Sequence, residues 1–535
     1  MSWLRCLCTD CSLPIMIMFH SGFSFARRAF LFLLLSAAGV VGHAQTTLYW
    51  DLNGSTAGAG TSPSGTWSTS VANWNTNSAG TGNSFAHWSN GNSIAVFSAG
   101  TNATSAYAVT VSGGVTVGKI RVEEGTPTIN GGTVTVSGTG EIDVTTGRVA
   151  TINSTIAGSG FNKTGGGELV LGGNNTFGGA VNVNGGTLTL AHSKALGSST
   201  WSNTVASGAT LALRDGISVT EGSFSIAGTG YNGSGALRNI SGNNTINTQI
   251  ALSGNSTWVA DAGTLTVAGA NQLGNKVLTL DGAGGFVFNQ SLNNTGGLVI
   301  NGPGDRTFNG PQLNSSGDIV VSGSGNTVFN TTINASARTF VQNGTGTTTF
   351  SGSSTNYFNS VNITGGEVIL DNTSGYAIQT NGSVNIDGAT VTFGGDNQVA
   401  NWMDVTLGDG AVLNLNGTVQ TIDKLTITGN SIIDFGADDS SFSVESLLLT
   451  DDAVLTVVNW YNAIDNAFIA KLDPGSSSLA KIIFAGAGDA SWDPYDKTIT
   501  PGAPSPVPEP STYGMIFVGA ALGLVLWRRR RAARG

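Results

Sequence analysis

The sequence is short of charge. Lys, Arg, Asp and Glu make up 10% of its 535 residues, against ~25% in an average globular protein. It is shorter still of reactive side chains. All three cysteines, Cys6, Cys8 and Cys11, fall in the first eleven residues, so removing that end removes every thiol and every possible disulfide. Only His87 and His192 of the four histidines lie beyond residue 44. With no histidine cluster and no His-Glu-x-x-His, there is no credible zinc site. Gly-rich turns abound, yet none ends in Gly-Lys-Ser/Thr before a helix, which excludes a phosphate loop. No cofactor is expected. Helical periodicity is missing from 45 to 430. No apolar run reaches the ~20 residues of a full membrane span.

What is present is glycine, at 78 residues about twice the usual ~7%, with much Ser, Thr and Asn. Val, Ile, Leu and Phe recur in short alternating clusters, an apolar content that disordered chains lack. "YAVTV" (107–111), "TVTVS" (133–137), "VNVNGGTLTL" (181–190) and "LTLDG" (278–282) have the period of half-buried strands. Gly-Gly, Ser-Gly and Asn-Gly turns divide them.

The two ends differ from the body. "ARRAFLFLLLSAAGVVGHAQ" has the parts of a secretory signal: Arg27 and Arg28, an apolar core over 30–41, and small residues at Gly42-His43-Ala44. Cleavage is placed between Ala44 and Gln45. Arg27-Arg28 also suits a twin-arginine route, but the very apolar core favours general secretion; Met16 or Met18 is an alternative start. At the other end, Val507-Pro508-Glu509-Pro510-Ser511-Thr512 precedes a 15-residue apolar run, 513–527. Arg528, Arg529, Arg530 and Arg531 follow. Such arginines hold a tail on the cytoplasmic side of a membrane. The prolines fix an extended segment outside it. Between residues 45 and 505 there are 14 Lys+Arg and 30 Asp+Glu, a net −16. So acidic a body excludes a nucleic-acid partner.

The three-part tail resembles the PEP-CTERM sorting signal of Gram-negative bacteria. The resemblance implies an exosortase-type membrane transpeptidase as partner and the inner membrane as a transient host. It also implies a producer of exopolysaccharide, which makes that polymer a candidate partner. In the body, "KTGGGELVLGGNNTFGGAVNVNGGTLTLAHSKALG" (163–197) resembles the autotransporter-associated beta-strand repeat. A weaker copy spans 342–370, with Gln342 in place of Lys163 and Gly344, Gly346, Phe350 and Gly365-Gly366 in matching places.

Short strands with turns every 6–12 residues suit a sandwich, a barrel or a solenoid. Repeats of some 20–30 residues favour a solenoid. The expected fold is all-β, a right-handed parallel β-helix with N- and C-terminal caps and a C-terminal membrane helix. The expected domains are a signal peptide (1–44), an aromatic cap (45–100), the solenoid (101–450), a C-terminal cap (451–500), a Pro-rich spacer (501–512) and a membrane helix with its Arg-rich tail (513–535). Leu169, Leu171, Val181, Val183, Leu188 and Leu190 should point inward. Brief helical turns are expected at Ala467–Leu472 and Ser477–Lys481.

Trp50, Trp67, Trp74 and Trp88 are expected to bury themselves over the first turn, with a carbohydrate-stacking platform as the alternative. His87 is expected to pack there, and His192 to sit in an exposed turn. Asp434, Asp438, Asp439, Asp451 and Asp452 read as solvated turn carboxylates, with calcium as the alternative. No local acid–base cluster is visible. The expected function is a non-enzymatic structural or adhesive surface protein. A polysaccharide-binding or polysaccharide-degrading β-helix is the alternative.

Overall fold

The computed structural model describes residues 45–198, 200–461 and 466–502. In Ile319–Val321 the first and third side chains are buried and the second is half-exposed. Alternation of this kind lets one side of a strand face a core while the other faces water. The same pattern recurs on up to three faces of a turn. One turn, for example, consists of Gln312–Ser315, Ile319–Val321 and Thr327–Phe329. Each strand pairs in parallel with its counterpart one turn away.

Leu298, Ile319, Phe340, Val361, Val384, Val405, Leu425 and Leu447 hold one position through eight successive turns. All eight are buried. The molecule is a parallel β-solenoid of about 17 turns. At ~4.8 Å between strands its ladder is about 80 Å long. Leu169, Leu188, Leu211 and Leu237 form another buried column, as do Leu171, Leu190 and Leu213. Val181 stacks on Phe161, and Val183 sits between Lys163 and Val205.

Identical side chains often meet at identical positions. Phe288, Phe308, Phe329 and Phe350 are buried and stack at 5.1, 5.0 and 5.4 Å between centroids, within 17° of parallel. Outside, Asn289, Asn309 and Asn330 link side-chain amides from turn to turn at 3.2 and 2.8 Å.

The parallel ladder extends past both ends of the 101–450 span. Thr47–Tyr49 pairs in parallel with Ile94–Val96, and Leu455–Val457 with Ile482–Phe484. Both ends then close with antiparallel pairs. Trp50 faces Trp74, and Trp74 faces Ala86. Phe484 faces Gly488, and Trp492 faces Ile499. An antiparallel partner occupies an edge that would otherwise be free to pair with another chain.

Two local expectations need correction. Ala467–Ala470 is a strand paired with Ser441–Val444, not a helical turn. Phe468 and Ala470 point inward, and a four-residue segment gains more from completing the sheet edge than from a lone helical turn. The short helix is at Ser476–Leu479. His87 is exposed. It precedes the inward Trp88, so alternation turns it to water.

Candidate functional site

Four buried polar side chains break the apolar columns. Asn239, Arg306 and Gln342 aim at the corner where the chain turns from the second face to the third, and Lys163 at the corner between the first and the second. Lys163 is fully buried, and its ammonium donates to the carbonyls of Thr164, Gly165 and Gly185 at 2.8, 3.0 and 3.0 Å. Gln342, its counterpart in the weaker repeat, donates to Gly344 and Gly346 and accepts from Thr348. Asn239 donates to Gly242 and Ala262. Arg306 donates to the carbonyls of Gly282, Gly284, Asn301 and Asp305, and its guanidinium lies 5.2 Å from the Phe286 ring centre. Tight glycine corners turn carbonyls inward, and a buried acceptor needs a donor.

Burial pushes the Lys163 ammonium down to about 8, against the pull of Asp143 and Glu168. It pushes Arg306 down to about 10, against Asp281 and Asp305. None of these groups reaches solvent, so they fasten corners and have no access to a substrate. The repeat comparison had marked Lys163 and Gln342 as a difference. Only the corner geometry gives them a shared task.

On the outer surface the register gathers charges that are distant in sequence. "KIRV" (119–122) pairs with "EIDV" (141–144). Lys119 lies 3.1 Å from Glu141 and 3.5 Å from Asp143; Arg121 lies 3.4 Å from Asp143 and 3.0 Å from Glu123. This is the acid–base cluster that the sequence reading missed. Its signal was the matching alternation of the two tetrapeptides one turn apart. Burial would raise the Glu141 carboxyl, but hydrogen bonds from Thr164 and Lys119 and the charges of Lys119 and Arg121 hold it below its usual value. An ionised, paired carboxylate has no proton to give as a general acid.

Trp50, Trp67, Trp74 and Trp88 are buried and meet edge-on or tilted at 4.9–5.3 Å, around Phe97. They offer no ring face to a sugar. The exposed indoles lie elsewhere, at Trp201 and Trp402. Trp201 lines one of two open depressions, and its neighbour Thr200 lines the other. One, of about 460 Å³, is lined by Ser159, Gly178, Gly179 and Ala180 with Trp201 itself. The other, of about 760 Å³, is lined by Asn174, Thr176, Lys194, Thr200, Thr220 and Glu221 among others. Lys194 and Glu221 are ion-paired. Hydrogen bonds from Lys194 and Thr220 outweigh burial and keep the Glu221 carboxyl low. A depression inside the solenoid, between Ile363, Ile386 and Leu413, holds about 20 Å³.

His192, expected in an exposed turn, is instead half-buried, because its Nδ1 folds back to accept from the Lys194 amide. Asp434 accepts from the Gly436 amide and from Asn459. Among the described residues no three His, Cys, Asp or Glu side chains gather as a metal site. Gln45 is the first described residue and is exposed. Ala44, Pro508, Glu509, Pro510 and Arg528–Arg531 lie outside the described residues, as does the expected membrane helix with its tail, 513–535.

Residues 161–190 and 340–370 match the passenger-associated-transport-repeat model. The first match runs from Phe161 of the first face, through the Lys163 corner, to the second-face strand of the following turn; the second runs from Phe340 of the second face, through the Gln342 corner, to the third-face strand of the following turn. Residues 506–531 match the PEP-CTERM protein-sorting motif. The chain carries an exosortase-sorting tail. It is thus an exported, membrane-anchored precursor of the Gram-negative type, processed by a membrane transpeptidase. No curated protein matches it, and no solved structure does.

Proposed function

We propose that the exported protein is a non-enzymatic structural or adhesive component of the outer surface or extracellular matrix, released from its membrane anchor by the exosortase. The observation that carries this reading is the filled, continuous ladder. Parallel pairing runs from Thr47 to Phe484, buried apolar side chains line the core inside it, and Lys119 and Arg121 of the outer cluster are paired with its carboxylates. Such a body is a stiff spacer whose ends are protected against growth.

Changing Pro508 and Pro510 to alanine separates sorting from simple anchoring, because the apolar run and Arg528–Arg531 remain. The expected result is insertion without processing, with uncut protein retained in the inner membrane. Wild-type delivery of that variant to the surface would refute the sorting role. Incubating the purified protein with polysaccharides should release no new reducing ends; release would favour the degrading alternative. Exopolysaccharide is the proposed partner.

A further inference from the structure

We infer that the third face of the solenoid packs against the same face of a second copy of this chain. Through eight successive turns, from Thr245 to Thr392, the outward residue in the middle of that face is Thr, Val or Ile. None of the eight carries charge, and each is half-buried. The pairing along this stretch has no register shift. Such a rank of β-branched side chains can interdigitate with its equal when two sheets stack. Asn289, Asn309 and Asn330 edge the rank, and their amides bond to one another within the copy. Covering them therefore strands fewer polar groups.

The second face has a similar rank, with Val299, Val320 and Val341 outward, but it cannot be approached in the same way. Beside Val341 the chain bulges: Ser336, Ala337 and Arg338 oppose Asn359, and all three are exposed. A projecting corner holds a second sheet off. On the third face, eight strands at ~4.8 Å give about 38 Å of length, and three outward positions per strand give about 13 Å of width. That footprint is about 500 Å² on each copy and about 1,000 Å² for the pair, the lower limit for a specific interface. The outward charges at its margins, Asp305, Glu367 and Asp371, are all acidic, and the body carries a net −16. Two copies therefore repel at low salt, and screening should strengthen the pair.

This inference rests on the structural reading and deepens it by naming what the body packs against. A monomeric body would still be structural, whereas release of reducing ends would leave the pairing untouched, so the two fail separately. The test is analytical ultracentrifugation of the mature protein. An interface of this size is weak, so concentrations of about 10 and about 200 μM are compared, each at about 20 and about 200 mM salt. The average mass should rise towards that of a dimer with concentration, and further at the higher salt. Val287→Glu with Val328→Glu should weaken the association at least about tenfold. Val299→Glu with Val341→Glu, the same change on the second face, should leave it within about twofold. All four side chains point outward, so both variants should melt close to the wild type. A second measurement does not depend on those variants. All three native cysteines precede residue 45, so Val328→Cys gives the mature protein one thiol. A short bismaleimide should join two copies through it, and should not through Val320→Cys. A monomer under every condition, association that weakens with salt, equal loss in the two glutamate pairs, or equal cross-linking of the two cysteines would overturn the inference. So would a monomer that a neutral polysaccharide gel retards until Val287 and Val328 are changed, which would assign the face to a polymer.

Discussion

Replacing Lys163 by methionine tests whether the buried corner donor is needed. Methionine keeps most of the stem's volume and flexibility, so the change isolates the ammonium. Three carbonyls, those of Thr164, Gly165 and Gly185, lose their donor. At about 1–3 kcal/mol per orphaned buried acceptor, the loss is about 3–9 kcal/mol. Against it stands the cost of keeping a charge there. Lys163 titrates at about 8 rather than 10.5, so removing the charge recovers about 3 kcal/mol at neutral pH. The balance is about 0–6 kcal/mol, centred near 3, so Lys163→Met should be less stable by about 3 kcal/mol.

Lys163→Gln imitates the second repeat and should cost less, about 1–2 kcal/mol. It is not free, because Gln342 takes a hydrogen bond from Thr348 and the residue matching Thr348 in the first repeat is Leu169.

The wild type carries a pH signature that neither variant shares. A lysine whose folded value is depressed binds fewer protons folded than unfolded between about 8 and 10.5. Stability from this site therefore rises with pH across that window, and the full penalty is present below it. Buried Tyr107 acts oppositely, since burial raises its hydroxyl; its contribution is lost as pH climbs above ~10. Comparing wild type with Lys163→Gln from pH 7.5 to 9.5 cancels that second effect. The thermal midpoint of the wild type should gain on that of the variant as pH rises, and exchange protection in peptides from 161–190 should follow. A flat or falling difference, or a Lys163→Met protein as stable as the wild type, would refute the reasoning.

Phe329→Ala removes the middle of the phenylalanine stack and should cost about 3–5 kcal/mol, whereas Phe329→Leu should stay within about 1.5. Because a solenoid couples only neighbouring turns, hydrogen exchange should accelerate in peptides holding Phe308 and Phe350 and not in those holding Ala95 and Phe97. Gly179→Ala forces its Cβ onto the Ser159 carbonyl, so the backbone must move; the variant should lose at least ~3 kcal/mol or fail to accumulate, read by its yield and thermal midpoint. N-terminal sequencing of the exported protein should begin at Gln45, and finding Met1 or any of the three cysteines would exclude the assigned cleavage.

Much of the fold was written in local pattern. The inward set from Leu169 to Leu190 could be assigned from alternation alone, because a strand sends successive side chains to opposite sides whatever it pairs with. The sorting tail was equally legible, since its chemistry lies in the order of prolines, apolar run and arginines. The aromatic start implied burial, and its four indoles are buried. Segments governed by their neighbours were not legible. Ala467–Ala470 has no strong propensity of its own and is a strand because the edge at Ser441–Val444 stands beside it.

The sequence by itself thus determined the class of element, the direction of side chains along the alternating strands and the sorting signal. Register belonged to the tertiary structure alone. Parallel pairing across turns of variable length placed Lys119 against Glu141, aligned four phenylalanines, and turned Lys163 and Arg306 onto inward carbonyls. These contacts join residues about twenty positions apart. Their spacing varies with every loop, so only the stacked backbone, which matches hydrogen bonds turn by turn, could decide which side chains meet.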